Sequence, residues 1–159
     1  MNIRKNILPV LRPSGGEEEL DLLKQVIESG WWGKGSKVDE LEKSFAKLVG
    51  AKYALAVTSN TVAQDLIIKA KGVKNVDVIS PTISFLTTGL VPLWNNCNSL
   101  LCDVDEKALN LDPKDLEKYI TPNTGAVISV NYAGIPSNID EMRKYYDGLI
   151  IEDCALSCY

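Results

Sequence analysis

At 159 residues, with 45% hydrophobic and 24% charged residues, the chain has the composition of one ordinary folded domain, large enough to bury a core. A formal net charge of -4 leaves no basic surplus to hold a phosphate backbone, so nucleic acid is excluded as an expected partner. Histidine is absent, so no Ser-His or Cys-His nucleophile pair and no imidazole base can form; any acid or base has to be Asp, Glu, Lys, Tyr or a cofactor.

The first helix signal is Ser14-Gly15-Gly16-Glu17, a capping box ahead of Leu20, Leu23, Val26 and Ile27 at helical spacing, with Gly30 as its stop. Trp31-Trp32-Gly33-Lys34-Gly35 follows as a loop whose two indoles either form a contact surface for a ligand or partner or cover the edge of the core. A second helix runs from a Ser36 cap through Val38, Leu41, Phe45 and Leu48 to Gly50. This reading sets residues 1–35 apart as an N-terminal helix and Trp/Gly-rich loop, with the main domain over 36–159.

Beyond Gly50 strands and helices alternate. Strands are predicted at 53–57, 76–80, 100–104, 125–130 and 149–151. Between them lie a helix over 61–71 closed by Gly72, one over 84–94 that Pro92 should kink or shorten, one opened by Asp112-Pro113, and one from a Ser137 cap to Tyr146. Repeated β-α-β units of this size predict an α/β fold in three layers with a mainly parallel sheet. No apolar stretch approaches membrane-spanning length and Met1-Asn2-Ile3-Arg4-Lys5 leads into no signal-like core, so the expected location is cytoplasmic, with no membrane partner. Cys97, Cys102, Cys154 and Cys158 lack the paired spacing of zinc ligands; they read as reduced packing residues, and no metal is expected.

Chemistry should gather where the parallel strands end. After Val57 comes Thr58-Ser59-Asn60-Thr61, small polar residues leading into a helix N-terminus; they can present N–H groups and hydroxyls to a phosphate, or simply cap the helix. After Ser80 comes Pro81-Thr82-Ile83-Ser84-Phe85, whose aromatic is either core or a ligand platform. After Ile151 comes Glu152-Asp153, a carboxylate that either faces a ligand beyond the sheet or caps the next turn. If the strands are parallel the three groups share one sheet edge. Together they suit a planar, phosphorylated, cationic heteroaromatic, and pyridoxal 5′-phosphate fits: a strand-end Asp can keep a pyridine nitrogen protonated.

The same residues resemble a known family. Trp32-Gly33-Lys34-Gly35 with 37–42, then Ala56-Val57-Thr58-Ser59-Asn60-Thr61, Pro81-Thr82-Ile83-Ser84-Phe85, Asp103-Val104-Asp105, Leu109-Asn110-Leu111-Asp112, Asn131-Tyr132-Ala133-Gly134 and Ile151-Glu152-Asp153-Cys154-Ala155 stand in the order of the DegT/DnrJ/EryC1/StrS sugar aminotransferases. The resemblance implies part of the large domain of a fold-type I transferase, with 36–159 as an incomplete cofactor-binding domain. It also implies amino transfer, usually from glutamate, onto a keto sugar linked to a nucleotide diphosphate, within a homodimer. Ser59, Asn60 and Thr61 would lie at the phosphate of pyridoxal phosphate, Phe85 would stack on its ring, and Asp153 would pair with its nitrogen.

Three positions depart from the family pattern. Asn60 stands where relatives usually have Gly, Leu156 where they have Gln or His, and Asn131 where His is common; together these point to relaxed or altered function. The family's Schiff-base lysine lies beyond the Glu-Asp motif, whereas here no lysine follows Lys144, which sits before the last strand. No catalytic residue is therefore assigned, and the 159 residues alone are expected to be inactive or nearly so. The expected alternatives are a piece of a sugar aminotransferase, or a truncated, non-catalytic remnant that binds a partner or a phosphorylated ligand. A nucleotide triphosphatase is set aside because no Gly-Lys-Ser phosphate loop accompanies the acidic strand end.

Overall fold

A computed structural model describes residues 12–157. The Met1–Lys5 start and Cys158 therefore lie outside the described residues. By contacts the chain divides into two compact units, Met1–Ala56 and Val57–Tyr159.

In the first unit, α1 spans Glu17–Ser29 and α2 spans Ser36–Leu48. The caps fall on Gly16 and Gly35 rather than on the serines that the sequence points to. For α1 the reason is visible: the carboxylate of Glu19 reaches back to the Gly16 N–H at 2.6 Å, and three glutamates in the first turn face the positive end of the helix. Gly30 closes α1 in the left-handed region at φ 68°. The Trp31 indole N–H donates to the Lys34 carbonyl at 2.8 Å, and the ring occupies the place where a Cβ on Gly35 would stand, 2.6 Å away. Trp31 and Trp32 are both exposed. The strand predicted at 53–57 is absent. These residues find no ladder partner among the described residues, and their backbone is tethered instead by the Ala56 N–H donating to Glu42 Oε1 at 2.9 Å.

The second unit is built on a four-stranded parallel sheet. Its strands are β1 Asp77–Pro81, β2 Asn98–Cys102, β3 Thr124–Val130 and β4 Leu149–Asp153, in the order β2-β1-β3-β4. The helices are α3 Asn60–Ala70, α4 Leu86–Trp94, α5 Pro113–Tyr119 and α6 Ile139–Met142. The central strands read as unbroken apolar runs because both faces are covered. On one face Val78, Ala126, Ile128 and Ile151 pack with Ile68 of α3 and Val91 of α4; on the other Ile79 and Val127 pack with Leu116 of α5, Met142 of α6 and Tyr146. Helix, sheet and helix are the three layers expected. Where β1 meets β3 the register slips between Asp77 and Val78, opposite Gly125, and a Cβ there would come within 2.3 Å of the Val76 side chain.

Several boundaries differ from the pattern in the sequence. The helix predicted over 137–146 shrinks to α6, capped by Asn138, whose side chain accepts from the Glu141 N–H, while the Ser137 hydroxyl does not act as the cap and donates to the Val130 carbonyl at 3.1 Å. β2 stops at Cys102, and Val104 makes only an isolated antiparallel bridge to Leu111. α4 carries Pro92 two residues before its end, where the helix stops. The Asp112-Pro113 start of α5 forms as expected, with the Asp112 side chain accepting from the Lys114 N–H. Cys97 and Cys102 are buried free thiols; burial first, and the Asp115 carboxylate second, push the Cys102 thiol far up, away from thiolate chemistry. No helix among the described residues is long and apolar enough to cross a membrane.

Candidate functional site

All four strands being parallel, their carboxyl ends share one edge, from which the chain leaves β1 toward Phe85, β3 at Asn131 and β4 at Asp153. Strand alternation puts Leu149, Ile151 and Asp153 on the face covered by α3. Helix periodicity puts Asn60, Gln64 and Ile68 on one stripe of α3. Ile68 fills the core beside Ile151, and one and two turns nearer the helix start Gln64 and Asn60 meet Asp153.

That meeting is a closed ring of three side chains. Asn60 Nδ2 donates to Asp153 Oδ1 at 2.9 Å, Gln64 Nε2 donates to Asp153 Oδ2 at 2.8 Å, and the same Gln64 nitrogen donates to Asn60 Oδ1 at 2.6 Å. The Ala155 N–H adds a third bond to the carboxylate, on Oδ1 at 3.0 Å. Asp153 is 4% exposed and Gln64 2%. Two carboxylate oxygens offer about four acceptor directions; among the described residues three are filled, and the remaining one belongs to Oδ2. Gln64 Oε1 is buried with no hydrogen-bond partner among the described residues.

At the start of α3 the Ser59 side chain does cap the helix, accepting from the Val62 N–H at 3.2 Å, while the Ser59 carbonyl takes the Ala63 N–H. The N–H groups of Asn60 and Thr61 are left without an acceptor among the described residues. The Thr61 hydroxyl pairs with that of Thr87 at 2.7 Å, joining the first turns of α3 and α4. Phe85 is the residue before α4, and at 72% exposed it does not fill the core.

Behind the edge the loop after β3 is braced. Asn131 N–H donates to the Asp153 carbonyl and Asn131 Nδ2 to Cys154 Sγ at 3.2 Å, while Asn131 Oδ1 accepts from the Ser137 N–H at 2.9 Å. Asn110 bridges the same loop, accepting from the Tyr132 N–H and donating to the Ile135 carbonyl, both at 2.9 Å. Leu156 is exposed and can offer no hydrogen bond from its side chain. Lys144 precedes β4, at the strand end opposite Asp153, and pairs with Glu141.

The structure thus joins Asn60 and Asp153 directly. Thr61 is linked to α4 two residues past Phe85, and Ser59 is turned to its own helix. Gln64 is absent from the candidates that the sequence nominates. Its signal is a polar residue one helical turn after Asn60, on the stripe whose next member is the fully buried Ile68.

A profile of the DegT/DnrJ/EryC1/StrS aminotransferase family matches residues 13–159. The chain belongs to this aminotransferase family. Among family relatives, the spore coat polysaccharide biosynthesis protein SpsC of Bacillus subtilis (strain 168) is 38% identical over 160 residues, covering 98% of this chain and 41% of the relative. In the solved structure of 3-amino-5-hydroxybenzoic acid synthase, 91% of this chain superposes on 39% of that chain with a TM-score of 0.87 at 29% identity. The GDP-4-keto-6-deoxy-D-mannose-3-dehydratase of E. coli, solved with bound hydrated pyridoxal phosphate, matches 91% of this chain and 40% of its own, with a TM-score of 0.86 at 30% identity. The chain spans about two fifths of the length of these similar proteins.

Proposed function

We propose that Val57–Tyr159 is cofactor-holding structure of a pyridoxal-phosphate-dependent aminotransferase that acts on a keto sugar linked to a nucleoside diphosphate, with glutamate as amino donor and a homodimer as the working assembly. Residues 36–159 would then be the incomplete cofactor domain read from the motifs. Support for the substrate class comes from similar solved structures, among them a GDP-4-keto-6-deoxymannose-3-dehydratase variant with bound GDP-perosamine. The observation that carries the reading is Asp153: a buried carboxylate at a strand end, held by three N–H donors, with one acceptor direction remaining on Oδ2.

The residues present fit the group. Asp153 Oδ2 would accept a hydrogen bond from the protonated pyridine nitrogen, the N–H groups of Asn60 and Thr61 at the start of an eleven-residue helix, vacant among the described residues, would meet the phosphate, and the exposed Phe85 ring would cover the heterocycle. Ser59, occupied as the cap, would hold that helix start in place. When bound, pyridoxal phosphate supplies the electron sink for amino transfer, and its strength depends on the protonated ring nitrogen. Lys144 precedes β4, at the strand end opposite Asp153, and pairs with Glu141, so the expected complex of these residues is non-covalent.

The test is a titration of the purified chain with pyridoxal phosphate, followed by borohydride reduction and intact-mass measurement. Saturable binding that Asp153→Ala weakens by about tenfold or more, the scale of a charge-assisted hydrogen bond, with no mass increase after reduction, is the expected result. Absence of saturable binding would remove the cofactor reading, and a stoichiometric adduct on one lysine would overturn the non-covalent one.

A further inference from the structure

We propose that Gln64 is the positioning residue for Asp153: one amide nitrogen bridges the carboxylate and Asn60, fixing the carboxylate so that its remaining Oδ2 acceptor direction is presented to a ring-nitrogen donor. This rests on the cofactor reading above. The two protons of Gln64 Nε2 are both committed, to Asp153 Oδ2 at 2.8 Å and to Asn60 Oδ1 at 2.6 Å. With its oxygen facing Gln64, the Asn60 amide has only its nitrogen to offer Asp153, which it does at 2.9 Å. Gln64 thus sets the orientation of the Asn60 amide as well as one carboxylate oxygen. Without it Asn60 is free to flip, which would set oxygen against oxygen, and the carboxylate is free to turn about its last bond.

A packing role alone does not account for this side chain. Gln64 is buried on a helix stripe that continues into Ile68, and its Oε1 is left unpaired there, so an apolar side chain of similar size would be buried at lower cost. What the amide adds is the pair of N–H bonds to Asp153 and Asn60.

The experiment compares pyridoxal phosphate with its 1-deaza analogue, in which a C–H replaces the ring nitrogen, by titration of the 159-residue chain and its Gln64→Leu and Gln64→Glu variants. The wild-type chain is expected to prefer pyridoxal phosphate by about tenfold, as one charge-assisted hydrogen bond allows. Both variants are expected to bring that ratio close to one, a loss of selectivity that a general loss of packing, which weakens both ligands alike, would not produce. Should a variant fail to fold, the side-chain amide resonances of Gln64 in the wild-type chain report directly: they should shift on adding pyridoxal phosphate and stay in place with the deaza analogue. A wild-type chain that binds the two ligands alike overturns the cofactor reading and this role with it. A wild-type preference that both variants retain, or Gln64 resonances that ignore the ring nitrogen, overturns the role of Gln64 alone.

Discussion

Asp153 and Asp115 are both carboxylates that accept backbone and side-chain donors, yet they serve different ends. Asp115 stitches α5 to the end of β2: its Oδ2 accepts from the Asp103 N–H at 2.8 Å and its Oδ1 pairs with Lys118 at 2.7 Å. Lys118 first, and the Asp103 N–H second, hold its carboxyl below the ordinary aspartate value of 3.8. Because the folded value is depressed, its contribution is fully present above 3.8 and is lost as pH falls through the lowered value. Asp115→Asn should therefore lower the urea midpoint at pH 6, and the gap to wild type should narrow as the pH drops below 3.8; a gap that is independent of pH would contradict this linkage. Asp153, Asn60 and Phe85 were legible as candidates because each falls within a few residues of the end of a predicted strand, although the strand ahead of Asn60, 53–57, does not form. Gln64 was not nominated: its spacing from Asn60 puts it on the same helix stripe, but only the register of α3 against β4 shows that its amide reaches Asp153.

At the level of elements, α3 carries both core and candidate-site residues. Ile68→Ala empties a fully buried position and should cost about 2–5 kcal/mol in chemical denaturation. Since the same stripe carries Gln64 and Asn60, affinity for pyridoxal phosphate should fall with it, measured under conditions where the variant is still folded. In the first unit, Gly35→Ala meets no backbone obstacle, its φ being -156°, but its Cβ would displace the Trp31 ring. The expected readout is a changed tryptophan emission with α2 retained by circular dichroism. The β-α-β alternation exposed most of these elements in the sequence because parallel strands are continuous apolar runs between helix caps. The exceptions have local causes: residues 53–57 have the composition of a strand but no ladder partner among the described residues, and Ser137 spends its hydroxyl on Val130.

Across the whole molecule, stability should be unevenly spread. α1 buries none of its thirteen residues, and a helix of that length gains little by itself, whereas β1 and β3 are central strands covered on both faces. Native-state hydrogen exchange should find α1 amides exchanging fastest among the helices and those of β1 and β3 slowest; comparable protection in α1 would show that its apolar face is covered in solution. The parallel sheet and its three layers were legible in the sequence, while strand order and register were not, because they depend on contacts between segments far apart in the chain. On the proposed function, Asp153 would receive the protonated nitrogen of pyridoxal phosphate. The most direct measurement is the 15N chemical shift of ring-labelled pyridoxal phosphate bound to the wild-type chain and to Asp153→Asn. A pyridinium shift at neutral pH in wild type, moving to that of the neutral ring in the variant, is the predicted result, and an identical shift in the two proteins would contradict it.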